Sequence, residues 1–287
     1  MIRKRMVAYW PTPAIAAFLL LAATVSAPAA AATSKFADLE GNPGLRSASA
    51  LVLDADGDVI YGKDIDQVRP IASITKVMTA MVVLDAGLDL EEKITVTRDD
   101  RDTVQQTGSR LDYGATLTRR EMLLLALMSS ENRAAAALGR TYPGGTDRFV
   151  AAMNAKAALL GMQRSRFADA AGLRVENQST ARDLARMITA ARDYPLIHEA
   201  STTRQLQVRP WRERGPLNYV NTNRLLKNEA WDIALSKTGY LNESGRCLVM
   251  QATIDGEPVS IVLLNSFGKL TPFGDSNRLR KWMLAGR

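Results

Sequence analysis

The pattern of apolar and polar residues predicts strands at both ends of the chain and helices between them. Two apolar runs, 48–54 and 58–63, flank Asp56-Gly57, and a DG step between two strands indicates a hairpin. After residue 230, β-branched runs separated by turn residues predict a second group of strands at 233–237, 246–254 and 259–264. The simplest arrangement is one antiparallel sheet built from both ends of the chain.

The middle of the chain has a helical pattern. A helix is expected to begin near Ser73 and end at Gly87, and Thr118 with Glu121 forms a capping box before the apolar run 122–128. Further helices are predicted after Asn132, over 147–160, from Ser179 or Thr180 to a point before Pro195, and over 275–284.

The predicted fold class is α/β in the α+β sense: an antiparallel sheet flanked by helices, with an inserted, mainly helical subdomain. The sheet lobe would comprise 47–88 and 205–287, and the helical insert 89–204, after a polar lead-in at 33–46. Pockets for small ligands form most often in clefts, so we expect a site between the sheet lobe and the insert.

Residues 1–32 have the pattern of a secretory signal peptide. Basic residues at positions 3–5 precede an apolar run from Ala14 to Val25, and small residues follow as far as Ala32. The apolar run is 12 residues long, which is short for a membrane span. We therefore expect cleavage near Ala32, a periplasmic protein that could be loosely associated with membrane or wall, and no transmembrane segment after cleavage.

The cysteine and histidine content and the net charge limit the sites and partners that the chain can have. The 287 residues include one cysteine, Cys247, and one histidine, His198, so a disulfide within the chain and a Cys/His zinc site are excluded. Removing 3 of the 37 basic residues with the signal leaves 34 against 30 acidic residues, a net charge of +4. This mild charge argues against a nucleic-acid partner and suits an anionic cell envelope. No metal or cofactor is expected, and we interpret His198 as structural and Cys247 as a buried, inert thiol.

Three short motifs carry the candidate chemistry. Ser73-Ile74-Thr75-Lys76 is an S-x-x-K at the start of a predicted helix, where residues i and i+3 share a face and a lysine can activate a serine. Ser130-Glu131-Asn132 is an S-x-N at a helix junction, and Lys237-Thr238-Gly239 is a K-T-G at the end of a predicted strand. Each motif alone also fits a helix boundary or a turn, and the second S-x-x-K, 266–269, is interpreted as a surface turn. Together, in this order, they are typical of enzymes that use lysine where others use histidine.

The motifs and the sequence around them resemble the low-molecular-weight penicillin-binding proteins, which are serine D-alanyl-D-alanine peptidases with a DD-peptidase/β-lactamase-like fold. The resemblance covers nearly all of the chain after the signal, and it is carried by residues 69–76, 78–85, 125–136, 179–184, 237–240 and 245–250. It implies that peptidoglycan stem peptides and β-lactams are the ligands.

The same resemblance implies roles for individual residues. Ser73 would be the nucleophile, Lys76 its base and Ser130 the group that relays a proton to the leaving amine. The substrate-binding residues would be Asn132, Lys237, Thr238, Gly239 and Tyr240, and the backbone N–H groups of Ser73 and Tyr240 would form the oxyanion hole.

Four activities stay open at this point. Whole-chain resemblance favours an endopeptidase that cuts D-alanyl cross-links, and the chain ends 48 residues beyond Gly239, without room for the extra β-domain and anchor of many carboxypeptidases. A DD-carboxypeptidase is the main alternative, because it attacks the same kind of bond. A class A β-lactamase is less expected, since no Glu-x-x-Leu-Asn motif occurs and the spacing from Glu213 to Leu217-Asn218 is one residue too long. A non-catalytic sensor is the fourth alternative, and it is less expected because such sensors are usually fused to a membrane segment and a signalling domain. The sequence does not indicate an oligomeric state.

Overall fold

The computed structural model describes residues 34–286, and the predicted signal segment 1–32 lies outside them. Within this part of the chain, no helix is both long and apolar enough to span a membrane. The strands and helices follow in this order: β1 (Ser49–Leu53), β2 (Val59–Lys63), β3 (Arg69–Pro70), α1 (Thr75–Asp85), β4 (Lys93–Thr95), β5 (Thr116–Thr118), α2 (Arg119–Met128), α3 (Asn132–Arg140), α4 (Gly145–Leu159), β6 (Gln178–Ser179), α5 (Ala181–Ala190), α6 (Pro195–Thr202), β7 (Gln205–Val208), β8 (Leu217–Val220), β9 (Asp232–Leu241), β10 (Gly245–Ile254), β11 (Glu257–Ser266) and α7 (Thr271–Ala285).

A five-stranded antiparallel sheet in the order β2-β1-β11-β10-β9 joins the two ends of the chain. Strands β1 and β2 form the predicted hairpin, and β1 pairs with β11 so that Ala50 lies opposite Leu263. Strands β9, β10 and β11 follow one another as a meander. The antiparallel sheet predicted from both ends of the chain is therefore confirmed, as is the α+β fold class.

Successive residues of the central strands face two different cores. Val249 and Val262 belong to the core shared with the helical part of the protein, whereas Leu248 and Leu263 belong to a second core. Helix α7 contributes Leu279 to that second core and packs against β10 and β11. The period of two along each strand buries both faces of the sheet, one under each layer of helices.

The helical part surrounds α1, which is apolar on nearly all sides and contacts α2, α3 and α4. The capping box predicted at the start of α2 is confirmed. Thr118 Oγ1 accepts from the Glu121 backbone N–H at 3.1 Å, and Glu121 Oε2 accepts from the Thr118 N–H at 2.8 Å. These bonds satisfy two backbone donors that a helix start would otherwise leave unpaired.

The structure differs from the predicted division into lobe and insert at two places. Helix α5 lies within the predicted insert, 89–204, yet packs against β1, β10 and β11. Strands β7 and β8 lie within the predicted sheet lobe, yet pair only with each other, and Pro210 O between them accepts from the Thr116 N–H of the helical part. Periodicity shows which face of an element is apolar but not which surface that face will meet, so these assignments could not be made from the pattern.

Two boundaries and one further helix also differ from the prediction. Strand β9 continues past Lys237 to Leu241, so Gly239 lies inside a strand and the turn-glycine alternative is wrong. Helix α7 begins at Thr271, four residues before the predicted start, and has proline in its first turn. Helix α6, which was not predicted, also begins with proline, at Pro195, because the fixed φ of this residue suits a first helical position.

Candidate active site

Ser73, the serine of the S-x-x-K motif, lies in a strained turn. Two glycines, Gly172 and Gly239, allow other segments of the chain to come close to this turn. Ser73 is the middle residue of a 3-10 turn, Ala72–Ile74, and Ala72 has a left-handed φ of +48°, which is uncommon for a residue with a side chain. A Cβ on Gly172 would lie 2.0 Å from Ala72 O. A Cβ on Gly239 would lie 2.9 Å from the carbonyl oxygen of Ile71 and 3.2 Å from the backbone nitrogen of Ser73. The glycine of K-T-G is therefore needed for the close approach of β9 to the serine.

Lys76 lies directly below Ser73 and is buried. Its Nζ donates to Ser73 Oγ at 2.8 Å, to Asn132 Oδ1 at 2.8 Å and to Ala171 O at 2.6 Å. The side chains at i and i+3 therefore meet as the motif predicted. Three acceptors around one ammonium group leave the lysine a single orientation, with its nitrogen aimed at the serine hydroxyl.

Burial sets the protonation state of this lysine. Desolvation lowers the pKa of Lys76 from 10.5 to about 7, and the charges of Asp169, Glu131 and Asp102, in that order, oppose the shift. An amine with a pKa near 7 is about half neutral at pH 7, and this neutral fraction can accept a proton. A buried lysine of this kind meets the requirement for a general base.

The S-x-N serine is held by a second buried lysine. Ser130 has a left-handed φ of +61° at the junction between α2 and α3. Lys237 Nζ donates to Ser130 Oγ at 2.9 Å and to Thr238 O at 2.8 Å. Burial lowers the pKa of Lys237 well below its usual value, and the neighbouring charge of Lys76 lowers it further. Two buried lysines thus lie behind one cleft, each bonded to one serine.

The first residue of α3 completes the S-x-N side of the cleft. Asn132 accepts from Lys76 through its carbonyl oxygen and donates through Nδ2 to Thr107 Oγ1 at 2.8 Å. Thr107 Oγ1 in turn donates to Asp102 Oδ2 at 2.7 Å. This chain of hydrogen bonds fixes the amide of Asn132, with its oxygen toward the lysine and its nitrogen toward the threonine.

The opposite wall of the cleft is β9. Thr238 Oγ1 donates to Thr222 Oγ1 at 2.7 Å, and the half-exposed Tyr240 ring lies 4.1 Å from the guanidinium of Arg246. A cavity of about 760 Å³ opens between the walls, and the predicted residues that line it are Ser73, Ser130, Asn132, Thr238, Gly239 and Tyr240. Lys76 and Lys237 lie behind this lining as hydrogen-bond partners of the two serines. The structure therefore brings together all eight residues that the sequence singled out.

Several residues of the site had no sequence signal. Ala171 contributes only its carbonyl oxygen, and Asp169 lies in a loop that matches no motif. The Asp169 carboxylate accepts the backbone N–H groups of residues 171–174 and so shapes the loop that presents Ala171 O. Thr107 and Thr222 reach the site from loops that sequence patterns alone do not connect with it.

The remaining residues weighed from the sequence lie outside this chemistry. The ring nitrogens of His198 lie 2.9 Å from Ala234 O and 3.1 Å from Arg192 O, so the histidine joins α6 to β9. Cys247 is buried, and burial raises the pKa of its thiol to about 11, which fits an inert group. Ser266 ends β11 as a buried residue bonded to Ser47 Oγ at 2.7 Å, so the second S-x-x-K is a strand end followed by an exposed turn. In the described part of the chain, no three His, Cys, Asp or Glu side chains cluster as a metal site would require.

Comparison with known proteins identifies the family. The model of the peptidase family S11, described as D-alanyl-D-alanine carboxypeptidase, matches residues 37–268. The chain belongs to this family of serine peptidases. The predicted resemblance to penicillin-binding DD-peptidases is thereby confirmed.

Individual relatives agree with this assignment. A D-alanyl-D-alanine endopeptidase from Pseudomonas aeruginosa is 47% identical over 270 residues, which cover 94% of this chain and 87% of the relative. One from Escherichia coli K12 is 46% identical over 269 residues, with 93% and 87% covered. The crystal structure of the Streptomyces K15 DD-transpeptidase has a TM-score of 0.79 and 26% identity, over 86% of this chain and all of that chain.

Proposed function

We propose that this protein is a DD-endopeptidase that hydrolyses D-alanyl cross-links in peptidoglycan through an acyl-enzyme on Ser73. The observation that carries the proposal is a buried lysine with a pKa of about 7, Lys76, whose Nζ lies 2.8 Å from Ser73 Oγ at the wall of an open cleft. The choice of an endopeptidase rests on the two relatives of that name at 47% and 46% identity.

In the acylation step, neutral Lys76 accepts the proton of Ser73 Oγ. The oxygen then attacks the carbonyl carbon of the D-alanine that donates the cross-link. The tetrahedral intermediate carries negative charge on the former carbonyl oxygen, and the backbone N–H groups of Ser73 and Tyr240 are assigned to stabilise it. The close approach of β9 to the serine turn at Gly239 supports this assignment, because it brings the two backbone segments side by side.

Collapse of the intermediate breaks the peptide bond and requires a proton on the departing amine. Ser130 is assigned to deliver it, because its hydroxyl lies in the cleft and is bonded to Lys237 Nζ at 2.9 Å. The proton that Lys76 took from Ser73 replaces the one that Ser130 gives to the amine, so Lys76 becomes neutral again. Water then attacks the ester on Ser73 while Lys76 accepts a proton from it, and this proton returns to Ser73 Oγ as the donor stem peptide leaves. Each lysine thus serves one serine, which accounts for a hydrolase whose lone histidine, His198, lies elsewhere.

Substrate binding is assigned to the two walls of the cleft. Asn132 would hold a backbone amide of the donor peptide, and Lys237 with Thr238 would bind the carboxylate next to the scissile bond. An entering carboxylate favours the charged form of Lys237, which burial and Lys76 otherwise disfavour. β-Lactams, which imitate the D-alanyl-D-alanine end, are expected to acylate Ser73 through the same contacts.

Carboxypeptidase activity is the second candidate, and the family description favours it. The two activities differ only in the leaving group, so a product analysis separates them. The protein and a Ser73→Ala control are incubated with a cross-linked muropeptide dimer and, separately, with a monomeric pentapeptide. We expect the dimer to be cut to monomers and the control to be inert. Loss of D-alanine from the pentapeptide alone would assign a carboxypeptidase instead.

We further propose a periplasmic location. Its support is the signal-peptide pattern of residues 1–32 together with a substrate that lies outside the cytoplasmic membrane. The test is the N-terminal residue of the protein recovered from the periplasmic fraction of an expressing bacterium. A chain that begins just after Ala32 is expected, and an intact N-terminus in the cytoplasmic fraction would contradict the proposal.

A further inference from the structure

The cleft carries positive charge well beyond the two buried lysines. Its lining includes Arg224, Lys227, Arg246 and Lys269 and contains no aspartate or glutamate. None of these four side chains forms an ion pair with a carboxylate within residues 34–286. Arg246 is stacked on Tyr240, whereas Arg224, Lys227 and Lys269 are exposed. We call these last three residues the cationic subsite.

Two of the three cations lie beside the residue assigned to bind the substrate carboxylate. Thr238 Oγ1 donates to Thr222 Oγ1 at 2.7 Å, and two residues later a 3-10 turn, Arg224–Lys227, begins. The side chain of Asn223 caps this turn by accepting the Leu225 N–H at 3.0 Å. The cations of the turn therefore stand on a fixed support next to Thr238.

The buried residues of the same turn explain why its charged side chains face the cleft. Leu225 and Leu226 are 4% and 8% exposed and anchor the turn, which leaves Arg224 and Lys227 on the outer side. The third cation, Lys269, lies in the exposed segment 267–270 between β11 and α7. The lining of the cleft thus has basic residues both on the turn beside Thr238 and on the segment before α7.

We propose that the cationic subsite binds carboxylates of the leaving strand of a cross-link. The inference rests on the proposed function. In a carboxypeptidase reaction the leaving group is one alanine, whose single carboxylate is assigned to bind Lys237 and Thr238. The leaving strand of a cross-link is a longer peptide with further free carboxylates, and it must continue beyond Thr238. A cavity of about 760 Å³ is large enough for such a strand and far larger than one alanine requires.

Because Arg224 and Lys227 are exposed, their contribution to binding of the leaving strand should be modest and should depend on salt. An ion pair at an exposed site changes a binding equilibrium by about two- to fivefold. Arg224 and Lys227 together should therefore strengthen binding of the leaving strand about tenfold. Such pairs are screened within about 8 Å at physiological salt and more strongly above it. The contribution of the subsite should therefore shrink as salt is added, which a purely steric role of these side chains would not produce.

The test compares two double variants that remove the same charges. Arg224→Gln/Lys227→Gln removes the two cations of the 3-10 turn from the subsite. The control, Arg280→Gln/Lys281→Gln, removes an arginine and a lysine from α7, outside the cleft lining. For each protein, kcat/KM is measured on the cross-linked dimer and on the pentapeptide, at low salt and at 0.5 M salt.

We expect the ratio of kcat/KM on the dimer to kcat/KM on the pentapeptide to fall about tenfold in the Arg224/Lys227 variant at low salt. The loss should lie in KM, and most of it should disappear at 0.5 M salt. The α7 variant should keep the ratio of the unaltered protein. An unchanged ratio in the Arg224/Lys227 variant, or an equal fall in both variants, would overturn the inference.

A binding measurement keeps the inference testable if no dimer is cut. Ser73→Ala protein is titrated with a free acidic stem peptide and with the same peptide after its carboxylates have been converted to amides. We expect the acidic form to bind more tightly, and the difference to shrink about tenfold when Arg224→Gln/Lys227→Gln is added; the part that remains belongs to the carboxylate assigned to Lys237 and Thr238 and to Lys269. A difference that is the same with and without Arg224→Gln/Lys227→Gln would overturn the subsite, whereas failure of dimer cleavage alone would overturn only the proposed function.

Discussion

The Glu131→Gln substitution should lower the pH at which Ser73 becomes reactive. The charge of Glu131 raises the pKa of Lys76, so its removal should lower that pKa. Glu131 uses one oxygen, Oε1, to accept from Ser109 Oγ at 2.6 Å and from the Arg133 N–H at 3.2 Å. Glutamine offers the same oxygen, so the substitution removes the charge and leaves both contacts in place.

The magnitude follows from the pKa of Lys76. At a pKa of about 7, half of the Lys76 side chains are neutral at pH 7, whereas about one in three thousand would be neutral at the ordinary value. The difference corresponds to about 5 kcal/mol at about 1.4 kcal/mol for each pH unit. A countercharge close to a buried group moves its pKa by about one unit. The variant should therefore react about fivefold faster than the unaltered protein at pH 6, with the same plateau above pH 8.

The assay is the second-order rate constant for acylation by a fluorescent penicillin between pH 5 and pH 9. Because neutral Lys76 is the reactive form, the rate should rise with pH through a midpoint near 7, and through a lower midpoint in Glu131→Gln. Glu199→Gln is the control, since this exposed carboxylate on α6 pairs with Arg120 and does not contribute to the pKa of Lys76. A midpoint that stays in place or rises in Glu131→Gln would show that the charge of Glu131 does not raise the pKa of Lys76, and a midpoint near 10 in the unaltered protein would show that burial does not lower that pKa.

Three further outcomes are expected. Gly239→Ala should slow acylation at least tenfold and lower the melting temperature, because its Cβ would lie 2.9 Å from Ile71 O and 3.2 Å from the Ser73 nitrogen and so displace the serine turn. Gly215→Ala, with open space around it, should leave the rate unchanged, and equal rates in the two variants would contradict the close approach. Phe149→Ala should lower the free energy of unfolding, measured in urea, by about 3–5 kcal/mol because this ring is fully buried, and a loss below about 1 kcal/mol would count against that packing. Cys247 should resist iodoacetamide at pH 8 in the folded protein and react after unfolding, and rapid labelling of the native state would show the thiol to be accessible.

The parts of the fold that depend on neighbouring residues could be predicted from the sequence. The DG hairpin, the Thr118 capping box and the meeting of Ser73 with Lys76 each depend on a spacing of a few residues. Local geometry fixes such contacts before any tertiary packing is known. The three motifs could be assigned to one site because their order resembles that of a known family, and not because spacing alone shows that they meet.

The parts that depend on distant segments could not be predicted. The third acceptor of Lys76 is Ala171 O, 95 residues away, and a backbone carbonyl carries no residue signature. Helix α5 has an apolar face that fits either the sheet or the helical part, and the structure places it on the sheet. Arg224 and Lys227 resemble ordinary surface residues in the sequence, and only the turn beside Thr238 brings them to the cleft.

The proposed reaction depends on a covalent acyl-enzyme between Ser73 and the donor strand of a cross-link. The most direct measurement is rapid quenching of the purified protein mixed with a cross-linked muropeptide dimer, followed by the intact mass and a peptide map. We expect a mass gain equal to the donor stem's acyl group without the leaving strand, located on the peptide that contains Ser73 and absent from Ser73→Ala. Dimer cleavage that continues in Ser73→Ala, or an acyl group found on another residue, would contradict it.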